Sequence, residues 1–185
     1  MNVLTIDIDY AFSPMISTYD DHVIGSRISL EEQKNILLGK GFTEPEINHK
    51  KFTDLVNVFN NFRSNAKVVL ITHHHQILDH IPLHEDINLQ NIDHHHDIFY
   101  PDWHELEKLD EGNWVYHLSK TNKLKKYTWF KNSDSEPYCD CLDLNFEFRQ
   151  LVDLSIKHVT KPELIVLCSS PHWTFDYNNT LMKKM

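Results

Sequence analysis

Four short stretches of the chain, residues 3–8, 67–72, 87–92 and 163–168, are strand-length runs built around Val, Ile and Leu. Runs of that length read as strands buried on both faces, because a half-solvated strand would alternate apolar and polar positions. Between them the apolar period lengthens to that of a helix. Residues 29–38 open with a capping box, Ser29 and Glu32, and close at Gly39. Phe52, Leu55, Val56, Phe59 and Phe62 share one helical face, and Phe148, Leu151, Val152, Ser155 and Val159 are spaced for another. Residues 111–119 read as a short helix, 126–131 as a strand and 132–143 as a loop. Strands alternating with helices predict an α/β domain with three layers, a mostly parallel sheet between helices. No linker or repeat interrupts residues 1–185, so a single domain is expected.

Composition narrows the function. There are only four glycines in 185 residues, so no glycine-rich phosphate loop can be written. A net charge of -9 opposes the basic face on which nucleic-acid or anionic-membrane binding depends, and neither partner is expected. No apolar run is long enough to span a bilayer, and Met1 to Asp7 has no basic leader, which makes the cytoplasm the default location. Cys139, Cys141 and Cys168 lack a zinc spacing and are expected as reduced thiols, with Cys168 in the core. Histidine, in contrast, occurs 14 times, and it collects at strand ends.

Three strand tips carry ligand-type side chains. They read Asp7-Ile8-Asp9, then His73-His74-His75, then Asp93-His94-His95-His96-Asp97. In a parallel sheet, ligands bind in the crevice at the carboxyl ends of the strands. Side chains two apart on extended chain share a face. Asp7 and Asp9 would then point together, as would Asp93, His95 and Asp97, while His94 and His96 turn away toward supporting or surface positions. One of the three histidines at 73–75 must face the crevice, and spacing leaves open which. Four carboxylates in one crevice repel unless cations neutralise them. Two divalent ions would do so and would acidify a shared water. Mixed oxygen and imidazole donors suit Mn²⁺ first, with Fe²⁺ or Zn²⁺ as alternatives.

Asp93-x-His95-x-Asp97, an upstream histidine and an Asp-x-Asp strand end together resemble the metal-ligand set of the arginase/deacetylase (ureohydrolase) superfamily. The wording around His74-His75-Gln76 and Asn91 to Ile98 is closest to the arginase-like branch that includes the peptide arginases. The resemblance covers about half the chain, in islands. It implies an arginase-like fold and selects His74 as the ligand. It also implies that Asp93 and Asp7 bridge two ions, with His74 and Asp97 completing one site and His95 and Asp9 the other. Glu111-Gly112-Asn113-Trp114 and Ser169-Ser170-Pro171-His172 resemble pocket-lining motifs. They imply Glu111, Asn113 and Ser170 as substrate contacts and His172 as the catalytic proton shuttle, although Glu111 and Asn113 suit helix capping equally. The implied activity is hydrolysis of a C–N bond by a metal-bridging hydroxide, in the guanidino group of arginine, an arginine derivative or peptidyl-arginine. The substrate would be a small molecule or a peptide.

In arginases the Asp-x-Asp strand comes late, whereas here it comes first. Either the fold is permuted or the match at Asp7 and Asp9 is fortuitous, and two same-face carboxylates ending a buried strand favour permutation. Two other functions fit parts of the pattern. Asp93-His94-His95 spells the motif of DHH-type phosphoesterases, but their glycine-rich second domain has no counterpart. A non-catalytic metal or peptide binder would need no complete ligand set. Trp103, Trp129 and Trp173 are expected as packing residues or pocket walls.

Overall fold

The computed structural model describes residues 1–13, 29–41, 44–100, 105–152, 154–175 and 180–185. Its strands, in chain order, are β1 (Asn2–Asp7), β2 (Phe12–Ser13), β3 (Glu46–Ile47), β4 (Lys67–Ile71), β5 (Ile87–Ile92), β6 (Leu124–Phe130), β7 (Glu147–Leu151) and β8 (Leu164–Cys168). The helices are α1 (Leu30–Gly39), α2 (His49–Phe62), α3 (Trp114–Lys120) and the single turn α4 (Pro171–Thr174). Six strands form one sheet in the order β4-β8-β1-β5-β6-β7, every pair parallel, and β2 pairs with β3 apart from it.

Strand periodicity explains the layers. In β1, Val3 faces one core, with Ile77 and α3 residues Trp114, Val115 and Leu118, whereas Leu4 and Ile6 face the other, with α2 residues Leu55, Val58 and Phe59. β8 divides the same way, Leu164 and Val166 against Ile165 and Leu167. Both faces of these strands are dry, which is why they are written without polar alternation. Leu4, Ile6, Leu89 and Ile165 are wholly buried, each contributing about 1.5–3 kcal/mol of transfer free energy. A register slip between Ile87 and Asn88 in the β5–β6 pairing lets Leu124 and Tyr127, three apart, enter the same core. The α1 cap is as the sequence predicts, Ser29 Oγ accepting the Glu32 amide at 3.2 Å.

Two expectations are corrected. Residues 148–159 are not a helix: β7 occupies Glu147–Leu151 and a 3-10 turn Ile156–His158. Spacing of i, i+3, i+4 over so short a window also suits a strand followed by a turn. Pairing with β6 decides it, with Phe148 stacked on Tyr127 at 5.5 Å. Cys139 and Cys141 are joined in a disulfide rather than free; Asp140 between them takes the left-handed φ of 51° that brings the two side chains together. Cys168 is free and buried, as expected. Among the described residues no helix is long and apolar enough to cross a membrane. Trp103 lies outside the described residues.

Candidate metal centre

Sheet order converts three separate tips into one site. The register sets Asp7 beside Cys168 and Cys168 beside Ile71, while Ile6 pairs with Ile92, so β4, β8, β1 and β5 end level. The chain leaves β1 toward β4 on one side and leaves β5 toward β6 on the other. Between β1 and β5 the sheet therefore has the switch point at which a crevice opens.

Both acidic tips use the same local device. Asp7 Oδ1 accepts the Asp9 amide at 3.0 Å, and Asp93 Oδ1 accepts the His95 amide at 2.8 Å. Each strand thus ends in a side-chain-closed turn, a conformation natural to aspartate. The turn places Asp9 in a 3-10 segment, Ile8–Ala11, and Asp97 reaches the site from a left-handed φ of 50°. Face-sharing along extended chain predicts that these residues point together, and they do come together, but turns, not extended strand, deliver them.

The six ligand candidates converge. His74 Nδ1 lies 2.8 Å from Asp97 Oδ2, 3.0 Å from Asp93 Oδ2 and 3.3 Å from Asp7 Oδ2. His95 Nδ1 lies 2.9 Å from Asp9 Oδ2 and 3.7 Å from Asp93 Oδ1. Two groups have donor atoms all within 4.8 Å of one another, Asp7–His74–Asp93 and Asp9–Asp93–His95. Asp93 belongs to both. Asp7, which the resemblance makes a second bridge, joins the His74 group alone. All four aspartates are buried, and the His95 side chain, 14% exposed, faces the opening.

Electrostatics describe a site short of positive charge. Burial, then the charges of Asp9 and Asp93, raise the Asp7 carboxyl well above its ordinary value. Burial and Asp93 push Asp9 up to about 6 and Asp97 up to about 7. Burial acts the same way on Asp93, but hydrogen bonds with His74 and His95 outweigh it and hold that carboxyl well below its ordinary value. Both imidazoles are held well above theirs: hydrogen bonds with Asp93 and Asp97 overcome burial at His74, and the charge of Asp9 does so at His95. Two imidazolium ions offset only half of four carboxylates, which is why burial and mutual repulsion raise three of the four. Two divalent cations with neutral imidazoles would balance the set.

Several residues support the cluster. Trp129 and Trp173 are expected from the sequence as packing residues or pocket walls and Trp114 lies in a pocket-lining motif, whereas Thr5, Asn91 and Tyr127 are not singled out by it. Thr5 Oγ1 lies 2.6 Å from His74 Nε2. Asn91 donates to Asp93 Oδ2 at 3.1 Å and to the Tyr127 hydroxyl at 3.0 Å, and that hydroxyl donates to the His96 carbonyl. Trp114 Nε1 donates to Asp97 Oδ2 at 2.7 Å, and Trp129 Nε1 donates to the Asp93 carbonyl. Trp173 packs its ring 4.6 Å from that of His95. A signal existed for Thr5, the one polar position among Val3, Leu4 and Ile6 of β1; Asn91 shares its strand with Asn88 and Gln90 and does not stand out in the same way.

Other expectations shift. His94 and His96 do turn from the cluster, yet neither is a surface residue. His94 is buried against Asn132, and burial pulls its pKa down to about 3; His96 stacks on Tyr100 at 4.1 Å. Ser170, read from the resemblance as a substrate contact, turns its hydroxyl to Asp7 instead, donating to Oδ2 at 2.5 Å, and is buried. Asn113, read the same way, is fully buried, accepts the Asp110 amide and donates to the carbonyls of Glu105 and Lys108, which commits its polar atoms to holding the loop. Glu111 and His172 stand together, not with the aspartates but with His73.

The chain matches no protein-family model, no curated protein and no solved structure.

Proposed function

We propose that this chain is a binuclear metal-dependent hydrolase acting on a C–N bond, with the guanidino group of arginine, an arginine derivative or peptidyl-arginine as substrate and an arginase-like fold permuted to begin at the Asp-x-Asp strand. One observation carries the reading. Asp93 directs one carboxylate oxygen toward His74 and the other toward His95, the disposition a carboxylate needs to bridge two ions.

The donor set fits such a pair. Asp7, His74 and Asp97 would hold one ion, Asp9 and His95 the other, and Asp93 both. Mn²⁺ suits this oxygen-rich set, and two bound ions would supply an acidified water and charge stabilisation at the attacked carbon. The protein's own work is orientation. Thr5 fixes the ring of His74, Asn91 and the Trp129 indole fix Asp93, Trp114 fixes Asp97 and Ser170 fixes Asp7. Placing β1 first in the chain does not weaken the reading, because β1 lies between β5 and β8, and a metal centre requires neighbours in space rather than in sequence.

The test is urea release from arginine, agmatine and arginine-containing peptides by Mn²⁺-loaded protein, alongside Asp93→Asn. Urea from at least one substrate, abolished by Asp93→Asn, is expected. No urea from any of them would overturn the guanidino reading, and phosphate release from phosphoesters in its place would favour the phosphoesterase.

A further inference from the structure

Three side chains that the centre does not use meet at its rim. His73 follows β4, Glu111 precedes α3 and His172 lies in α4 after β8. Each has a donor atom within 4.8 Å of the other two. His73 Nδ1 is 2.7 Å from Glu111 Oε1, and the ring centroids of His73 and His172 are 5.3 Å apart. None of the three is a ligand in either Asp93 group.

From this geometry we propose a second, separate metal site, in which His73, Glu111 and His172 hold one Zn²⁺-type ion that clamps the ends of β4, α3 and β8 together at the rim of the crevice.

Two imidazoles and one carboxylate form a zinc donor set that leaves a fourth position open. Bonds of about 2.1 Å to nitrogen and oxygen set tetrahedral donors about 3.4 Å apart, so His73 and Glu111 need separate only slightly when an ion replaces the proton between them. The backbone at each donor is pinned. The His73 amide donates to Gln76 Oε1 at 3.1 Å, and Gln33 of α1 donates to the His172 carbonyl at 2.8 Å. Asn113, through its bonds to 105, 108 and 110, secures the loop carrying Glu111. Ligands held in this way bind metal without the cost of ordering them. His73 and Glu111 remain partly exposed, 23% and 27% at the side chain, which leaves an entry path. The site does not depend on Asp93.

The experiment counts metal. Full-length wild type, Glu111→Gln and His172→Asn are stripped with chelator, reloaded with Zn²⁺, desalted and analysed for zinc per chain. Co²⁺ absorption and thermal unfolding are recorded in parallel. Wild type should hold one equivalent more than either variant, and Zn²⁺ should raise its Tm by more than it raises theirs. In Asp93→Asn the same single equivalent should persist, with Co²⁺ giving the intense visible bands of a low-symmetry four-coordinate site. Equal zinc in wild type and both variants, with all three folded by circular dichroism, would overturn the proposal. Loss of the Asp93-dependent ions alone would bear on the hydrolase reading and leave this site standing.

Discussion

His74 Nε2 lies 2.6 Å from the Thr5 hydroxyl, so the ring is held with Nδ1 turned into the carboxylates of Asp7, Asp93 and Asp97. Thr5 stands on β1 opposite Asn91 of β5. This pair of buried polar residues supports the two sides of the cluster from below.

Thr5→Val keeps the shape of the strand and removes that hydroxyl. Outer partners of this kind are worth about 10–100-fold in metal affinity, and a loss in that range is expected in a chelator competition with Mn²⁺. Unchanged affinity would show that Thr5 does not orient the ligand.

Asp93 and Asp97 should differ in what their amides do. In a Glu111→Gln background, where only the central cluster is read, Asp93→Asn is expected to lose both ions, because Asp93 belongs to both ligand groups. Asp97→Asn should lose only one, since Asp97 meets His74 and not His95. Calorimetric stoichiometry separates the two. Identical losses would rule out the one-sided role of Asp97.

Metal-free protein should become less stable as pH rises. Asp9, raised to about 6, and Asp97, raised to about 7, bind protons more tightly folded than unfolded. By linkage, stability then falls as pH climbs from about 4 through those values. His74 and His95, raised well above the ordinary 6.5, extend the fall to higher pH. Asp93, lowered below 3.8, opposes it only under more acidic conditions, and His94, lowered to about 3, opposes it between about pH 3 and 6.5. Asp7, raised well above its ordinary value, adds to the fall and keeps its sign. Tm in chelator should therefore be lower at about pH 7.5 than at about pH 5, and Mn²⁺ should reverse the order. A flat or rising metal-free profile would contradict this account.

Asn113→Ala tests the corrected role of that residue. It leaves the Asp110 amide and the Glu105 and Lys108 carbonyls without partners, a cost of about 1–3 kcal/mol for a buried group. Urea denaturation should show that loss while Mn²⁺ stoichiometry at the Asp93 centre stays the same. Preserved stability would return Asn113 to the surface of the pocket.

Much of this was legible along the chain. Two-sided apolar runs mark four of the sheet's six described strands, and Asp7, Asp9, Asp93, His95 and Asp97 stand out at strand ends, while the choice of His74 among His73, His74 and His75 rests on the family resemblance. Local chemistry explains why: an apolar run dictates a buried strand, and a carboxylate at its end has few reasons to be there. What local chemistry could not decide was everything set by neighbours distant in sequence. Whether Phe148 belonged to a helix or a strand depended on Tyr127, across the sheet. Whether Asn113 and Ser170 faced substrate or held loops and ligands depended on partners such as Asp7, 163 residues away. The order of strands in the sheet, which no single segment encodes, brought β1 beside β5 and made Asp93 common to both sides of the centre.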